Sequence, residues 1–345
     1  HEQRHVYEPD RIAQQAVTVT TGLDVKVDGI LSSSTTARID AQRNLLVNGT
    51  VQANGAMTLS SADALTVAGS IVGQSSGTIT AGSDLTGGGS IAFANQASLT
   101  TGHDVSLTGS LYGAALQVTA GNSASLGDIQ TPGTLSVSAN GNAGGGDLAL
   151  IGKTSATNAV NMTAARDIAV NGSFTSGNTV TGNAGRNVSV NGAVASVGDV
   201  SLTAGAGNLS TAATLSTNGN LALKAGGSLA VGPQQVSALG GATMSAGQDA
   251  TVAGTLAAAS VSVSAMHDIS VTGSVQSDTT LAASAGNALT IGGAASVKGD
   301  TALSAGSDLT LNGTIVGQGS GVLKAGGEID VAGSAGFAKD AAVTS

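Results

Sequence analysis

The chain has 345 residues, of which 52 are Gly, three are Pro and none is Cys; 1% are aromatic, 10% charged and 41% hydrophobic. Charge this low beside so much aliphatic content excludes charge-driven disorder, and three prolines exclude a collagen triple helix, which needs Gly at every third residue and roughly 15–20% Pro. A net charge of −9 with 12 scattered Lys plus Arg argues against a nucleic-acid partner, no apolar run reaches the ~18 residues of a membrane span, and the absence of Cys removes disulfide frameworks and thiolate metal sites.

Residues 1–15, HEQRHVYEPDRIAQQ, gather charge and fit no repeat, which reads as an irregular N-terminal segment or cap. The start at His1, without Met or leader, reads as a piece of a longer protein. From residue 16 a repeat takes over. TTGLDVKVDGIL from Thr20 returns as TTGHDVSLTGSL from Thr100, SAMHDISVTGSV from Ser264 and SAGSDLTLNGTI from Ser304. One position fixes the phase along the chain: Asp24, Asn44, Ala64, Asp84, Asp104, Ser123, Asp147, Asp167, Asn187, Asn208, Ser228, Asp249, Asp268, Ala288, Asp308 and Glu328. The spacing is close to 20 residues throughout. One step of 24 holds NGNAGGG, Asn140 to Gly146, and predicts a looped insertion near 139–146. Residues 336–345 drift from the pattern and read as a C-terminal tail.

Within each copy the apolar period is two. Val19, Val25, Val27 and Leu31 face one way, as do Ile39, Leu45, Val47 and Val51, then Leu59, Leu65, Val67 and Ile71. Short alternating runs between glycines predict strands that bury one face, and the Gly, Ser, Thr and Val content disfavours helix. Strands recurring every 20 residues predict an all-β fold, a parallel β-helix of about 16 coils over residues 16–335. Coils at about 4.8 Å would stack to roughly 75–80 Å. Crossover preference makes it right-handed; two and three sheets per coil stay open. Glycines are expected to supply positive φ at corners, and the Asp and Asn positions to form Asx-turns.

The AGxDLxVxG blocks, such as Ala305-Gly306-Ser307-Asp308-Leu309 through Gly313, resemble the 20-residue haemagglutinin repeats of filamentous haemagglutinin and related bacterial exoproteins, including adhesins and the stalks of contact-dependent inhibition toxins. The resemblance spans about residues 16–335. It implies a right-handed parallel β-helix, export through an outer-membrane two-partner secretion transporter, and a secreted or cell-surface location. It implies as partners, through the full-length protein, the surface of a host cell or neighbouring bacterium, by glycan or protein.

Stacked acids at the phase position suit cation ligands, but Ala64, Ser123, Ser228 and Ala288 interrupt them, so corner formation is the expected role. Gly87-Gly88-Gly89 and Gly144-Gly145-Gly146 lack the Lys-Ser/Thr and helix of a phosphate loop. His1 and His5 fall in the irregular start, and His103 and His267 share a repeat position in distant coils. Tyr112, Phe93, Phe174 and Phe337 stand isolated, unlike the platforms of β-helical polysaccharide-cleaving enzymes. Thr18-Val19-Thr20 and Thr78-Ile79-Thr80 would suit an ice-binding array, but Arg38-Ile39-Asp40 breaks it. Sequons at Asn48, Asn171 and Asn312 are expected by chance in so Asn-, Gly-, Ser- and Thr-rich a chain. No catalytic, cofactor-binding or metal-ligating residue is assigned, no cofactor is expected, and the chain is not expected to be an enzyme. The expected function is the structural shaft of a large secreted surface exoprotein, projecting a distal binding or toxin domain. The alternative is that the β-helix is itself an adhesin surface for host glycan or protein, sought first at departures from the repeat such as 139–153; a remote one is a polysaccharide-cleaving enzyme.

Overall fold

The computed structural model describes residues 15–345 and, before them, the backbone strands His5–Tyr7 and Arg11–Ala13. Every regular element among the described residues is a strand, and the strands pair in parallel as a β-solenoid of about 16 coils with ~20 residues each. Each regular coil has three strands, for example Ala37–Ala41, Leu45–Val47 and Thr50–Ala53. Each pairs with the strand one coil on: Ala37 with Met57, Leu45 with Leu65, Val51 with Ile71. The result is three stacked ladders, called first, second and third here in the order they occur within a coil.

Burial follows the period of two. In the coil just named Ala37, Ile39, Ala41, Leu45, Val47, Val51 and Ala53 point inward, none more than 2% exposed. The sequence pattern identified Ile39, Leu45, Val47 and Val51. The small residues at strand ends carry no amphipathic signal, yet they set the width of the interior. Each large aliphatic contributes on the order of 1.5–3 kcal/mol on burial, offset by the entropy of ordering the coil, so neighbouring coils stabilise one another.

Residues 1–176 and 177–345 form two compact units. In the first unit the inter-coil offset is 20 up to Ile91↔Leu111, then tightens to 19 at Leu116↔Leu135, with bulges at Phe93/Gln96 and Leu107/Ser110. There the third and first ladders merge in the long strand Ser90–Thr101, and all three in Val105–Ala120. The offset then widens to 25 at Leu135↔Val160, the loop lying between Leu135–Ala139 and Leu148–Leu150. In the second unit offsets of 21 at Val188↔Leu209 and Leu221↔Ala242 give way to 19 at Thr255↔Ser274 and then to 20 from Val261↔Leu281 onward.

At the N-terminal end His5 pairs with Val25 and Arg11 with Leu31; residues 1–4, 8–10 and 14 of the expected cap lie outside the described residues. The stretch set apart as a tail carries the ladders on, with Phe337 opposite Gly317 and Ala341 opposite Gly321.

The role expected for glycine needs correction. Among the described residues only Gly87, Gly141, Gly144 and Gly146 have positive φ, three of them in the inserted loop. Most corner glycines answer to space instead. At the corner between second and third ladders, a Cβ on Gly49 would overlap the carbonyl of Gly29, and one on Gly69 that of Gly49. Glycine is required because corners stack backbone on backbone.

The hydroxyls of Thr154, Thr211 and Thr301 point into the interior without a hydrogen-bond partner. A buried unpaired hydroxyl costs about 1–3 kcal/mol. Thr154→Val should therefore raise stability by about 1 kcal/mol, read as a higher urea midpoint at unchanged slope.

Candidate functional site

The most regular polar constellation is the corner before the second ladder, where the phase position lies. The oxygen of one coil accepts the backbone N–H of the same position one coil later. Asn44 N donates to Asp24 Oδ1 at 3.1 Å, Ala64 N to Asn44 Oδ1 at 3.2 Å and Asp104 N to Asp84 Oδ1 at 3.0 Å. Ser123 N and Asn122 Nδ2 both donate to Asp104 Oδ1, at 2.9 and 2.8 Å. The second unit repeats this from Ser228 N to Asn208 Oδ1 at 2.9 Å and from Glu328 N to Asp308 Oδ1 at 2.9 Å. The expected Asx-turn within one coil is thus replaced by a staple between coils. The reason is geometric: N–H groups at a corner cannot join a strand ladder, and the coil below supplies the nearest oxygen. Asn serves as well as Asp, since one acceptor oxygen is all the staple uses. Asp104→Ala should therefore cost about 1–3 kcal/mol and speed amide exchange at Ser123, while Asp104→Asn should leave both nearly unchanged.

A second set of staples, at the corner before the first ladder, escaped the sequence reading. Asn220 N donates to Asp199 Oδ1 at 2.7 Å, Gly241 N to Asn220 Oδ1 at 2.9 Å and Ser320 N to Asp300 Oδ1 at 2.7 Å. Inward serines at the ends of third-ladder strands hook the same corner: Ser33 Oγ donates to Gln15 O, and Ser277 Oγ to Ala259 O, at 2.8 and 3.2 Å. A window centred on the Asp24 position does not reach them.

The remaining candidates disperse. Among the described residues no group of three or more His, Cys, Asp or Glu side chains is placed to hold a metal ion. His103 is exposed, and His267 Nδ1 lies 4.0 Å from Asp249 Oδ1 with both side chains more than half exposed. Gly87 ends a second-ladder strand, and Gly144 to Gly146 lie in the inserted loop. That loop is pinned by Arg166, which donates to both Asp147 oxygens, at 3.1 and 2.7 Å, and to Gly144 O at 3.0 Å. Phe93 and Phe174 are fully buried, whereas Tyr112 is 37% exposed. Thr18 and Thr20 do face outward, but Arg38 and Asp40, one coil later, pair at 3.2 Å. Asn48 occupies a corner and donates from Nδ2 to Asp28 Oδ1 at 2.8 Å.

Asp28 has its ionisation shifted by its neighbours. The Lys26 ammonium, 2.6 Å from its Oδ2, and the Asn48 amide on Oδ1 hold its carboxyl below the ordinary 3.8. A depressed folded-state pKa means the pair contributes above the ordinary carboxylate value and is lost as pH falls through the folded one. Lys26→Met should raise the Asp28 midpoint in an NMR titration, and Asn48→Ala should raise it less. Overall stability near neutral pH should barely move, as for exposed ion pairs generally.

By these features the chain is a three-ladder parallel β-solenoid with stapled corners. No protein family, curated protein or solved structure matches it.

Proposed function

We propose that this chain is the structural shaft of a large secreted bacterial surface protein of the filamentous haemagglutinin kind, one that holds a distal binding or toxin domain away from the cell. The observation that carries the reading is the repetition of one three-stranded cross-section around a shared apolar interior, coil after coil in each unit. Every added coil extends a unit by about 4.8 Å at constant width, which is what a spacer requires. The resemblance of the AGxDLxVxG blocks to haemagglutinin repeats points the same way. It brings with it passage through an outer-membrane two-partner transporter and contact, through the full-length protein, with a host or neighbouring cell. A chain without Cys suits export in an unfolded state.

Antibodies against residues 16–335 should label intact cells that make the parent protein, and added proteinase K should remove the label while leaving cytoplasmic markers whole. Label that appears only after the cells are permeabilised would refute the surface shaft.

A further inference from the structure

Where the coils are regular the outward columns rise evenly, and the hollow on the first-ladder face around Ser264, Ala282 and Lys324 holds only about 230 Å³. A larger hollow in the first unit lies where coil length first falls and then rises. The third-ladder offset drops to 18 at Ser110↔Asp128 and widens to 25 at Ile129↔Thr154. A cleft of about 400 Å³ opens there, lined by Ser110, Tyr112, Asp128, Gln130, Lys153 and Ser155. Two outward columns supply these residues. Tyr112 pairs with Gln130, and Gln130 with Ser155; Ser110 pairs with Asp128.

Their hydrogen bonding sets them apart. Earlier in the same two columns polar neighbours knit to one another: Gln52 Nε2 donates to Ser32 Oγ at 2.8 Å, and Ser90 Oγ to Ser70 Oγ at 3.1 Å. In the cleft Asp128 Oδ1 accepts Lys153 N–H at 2.8 Å. Asp128 Oδ2, Lys153 Nζ, the Gln130 amide and the hydroxyls of Tyr112, Ser110 and Ser155 have no protein partner. A half-exposed aromatic ring therefore sits among both donors and acceptors. One carboxylate and one ammonium leave the cleft without net formal charge.

We propose that this cleft binds a neutral pyranose residue of a glycan. A sugar ring has an apolar C–H face that packs on an aromatic ring and hydroxyls around its rim that both donate and accept. Few convergent polar groups beside an aromatic surface are the usual composition of a small-ligand site. An extended peptide would need a free strand edge, and the strands here are paired on both sides. A nucleic acid would need basic residues along its path, and Lys153 is the only one in the cleft. The second unit has a comparable hollow, lined in part by Ser216, Ser237 and Gln276, but the large side chain exposed there is Leu239, not an aromatic. It serves as an internal control.

The test is saturation-transfer NMR on residues 1–345 with millimolar methyl β-galactopyranoside, methyl β-glucopyranoside and methyl α-mannopyranoside. At least one should receive saturation, strongest at its ring C–H protons. Tyr112→Ala should weaken that sugar about tenfold, Gln130→Ala should weaken it measurably, Tyr112→Phe should retain most of the binding, and Leu239→Ala should leave it unchanged. Circular dichroism melting of each variant separates lost binding from lost fold, since Tyr112 and Gln130 point outward and contribute little to the interior. Absence of transfer from all three sugars, or transfer that survives Tyr112→Ala, overturns the proposal. Neither outcome bears on whether the chain is exported as a shaft.

Discussion

Removal of residues 281–300 should leave a folded protein. It takes out one coil and brings Val261 opposite Thr301, because Val261 now pairs with Leu281 and Leu281 with Thr301. Thr280 joins Thr301 at the same corner; Asp268 Oδ1, which accepts the Ala288 N–H, then meets that of Asp308, and one staple, Asp300 to Ser320, is lost. We expect a cooperative melt within about 5 °C of the parent, the shift that roughly 1–2 kcal/mol produces in a large domain. Removal of 281–290 should behave differently. Ile291 then follows Thr280, so Gly292, Gly293, Ala294 and Ala295 occupy the first-ladder strand and every later corner arrives half a coil early. A register error of this kind turns apolar sets outward. The expected result is loss of the cooperative transition and of most β signal in circular dichroism. Equal damage from both deletions would mean that coils are not interchangeable units, and the spacer reading would lose its main support.

The second large effect concerns Phe93. Its ring is fully buried, and the space it fills is made by glycine: a Cβ on Gly73 or Gly77 would overlap the ring atoms. Phe93→Ala should cost about 3–5 kcal/mol, the loss typical of an emptied aromatic site. Gly77→Ala should cost about 1–3 kcal/mol by overpacking, although Ala is the better strand residue. The double variant Gly77→Ala, Phe93→Leu should be more stable than the sum of the single changes allows, with a coupling of about 0.5–3 kcal/mol in a urea-melt cycle. Strict additivity would show that ring and glycine do not share the space. The second unit repeats the arrangement, with a Cβ at Gly317 or Gly321 meeting the Phe337 ring.

These pairs mark where the sequence stops being transparent. The phase position from Asp24 to Glu328 and the inward series Val19, Val25, Val27, Leu31 were visible because they recur with fixed period and contrasting polarity. The structure places each of those four inward, at 5% exposure or less. Ala41, Ala53 and Ser33 were not visible, since a small inward residue looks like a small outward one. The three-ladder cross-section was open for the same reason: the corners that distinguish two sheets from three are built of Gly, Ser and Asn in either case. Glycine was read through its φ freedom, whereas Gly49 and Gly77 are set by what lies one coil away, 20 and 16 residues distant along the chain. Tyr112 looked solitary because Gln130, which pairs with it, stands 18 residues on, and Ser155, which pairs with Gln130, a further 25. A search at constant period passes over residues that the departures from that period bring together.

The corner staples have a direction. In each one the side-chain oxygen belongs to the earlier coil and the backbone N–H to the later: Asp24 to Asn44, Asp104 to Ser123, Asp199 to Asn220, Asp300 to Ser320. A coil that has just formed therefore presents a row of waiting side-chain acceptors toward the C-terminus, while toward the N-terminus its corners offer only backbone carbonyls, such as Asn44 O to Val25 N–H. Assembly that starts at the N-terminal side always meets a finished template. Assembly from the other side must order each coil before its corner oxygens arrive. The side-chain staples in this sense give the solenoid a polarity that its backbone ladders, bonded in both directions, do not have.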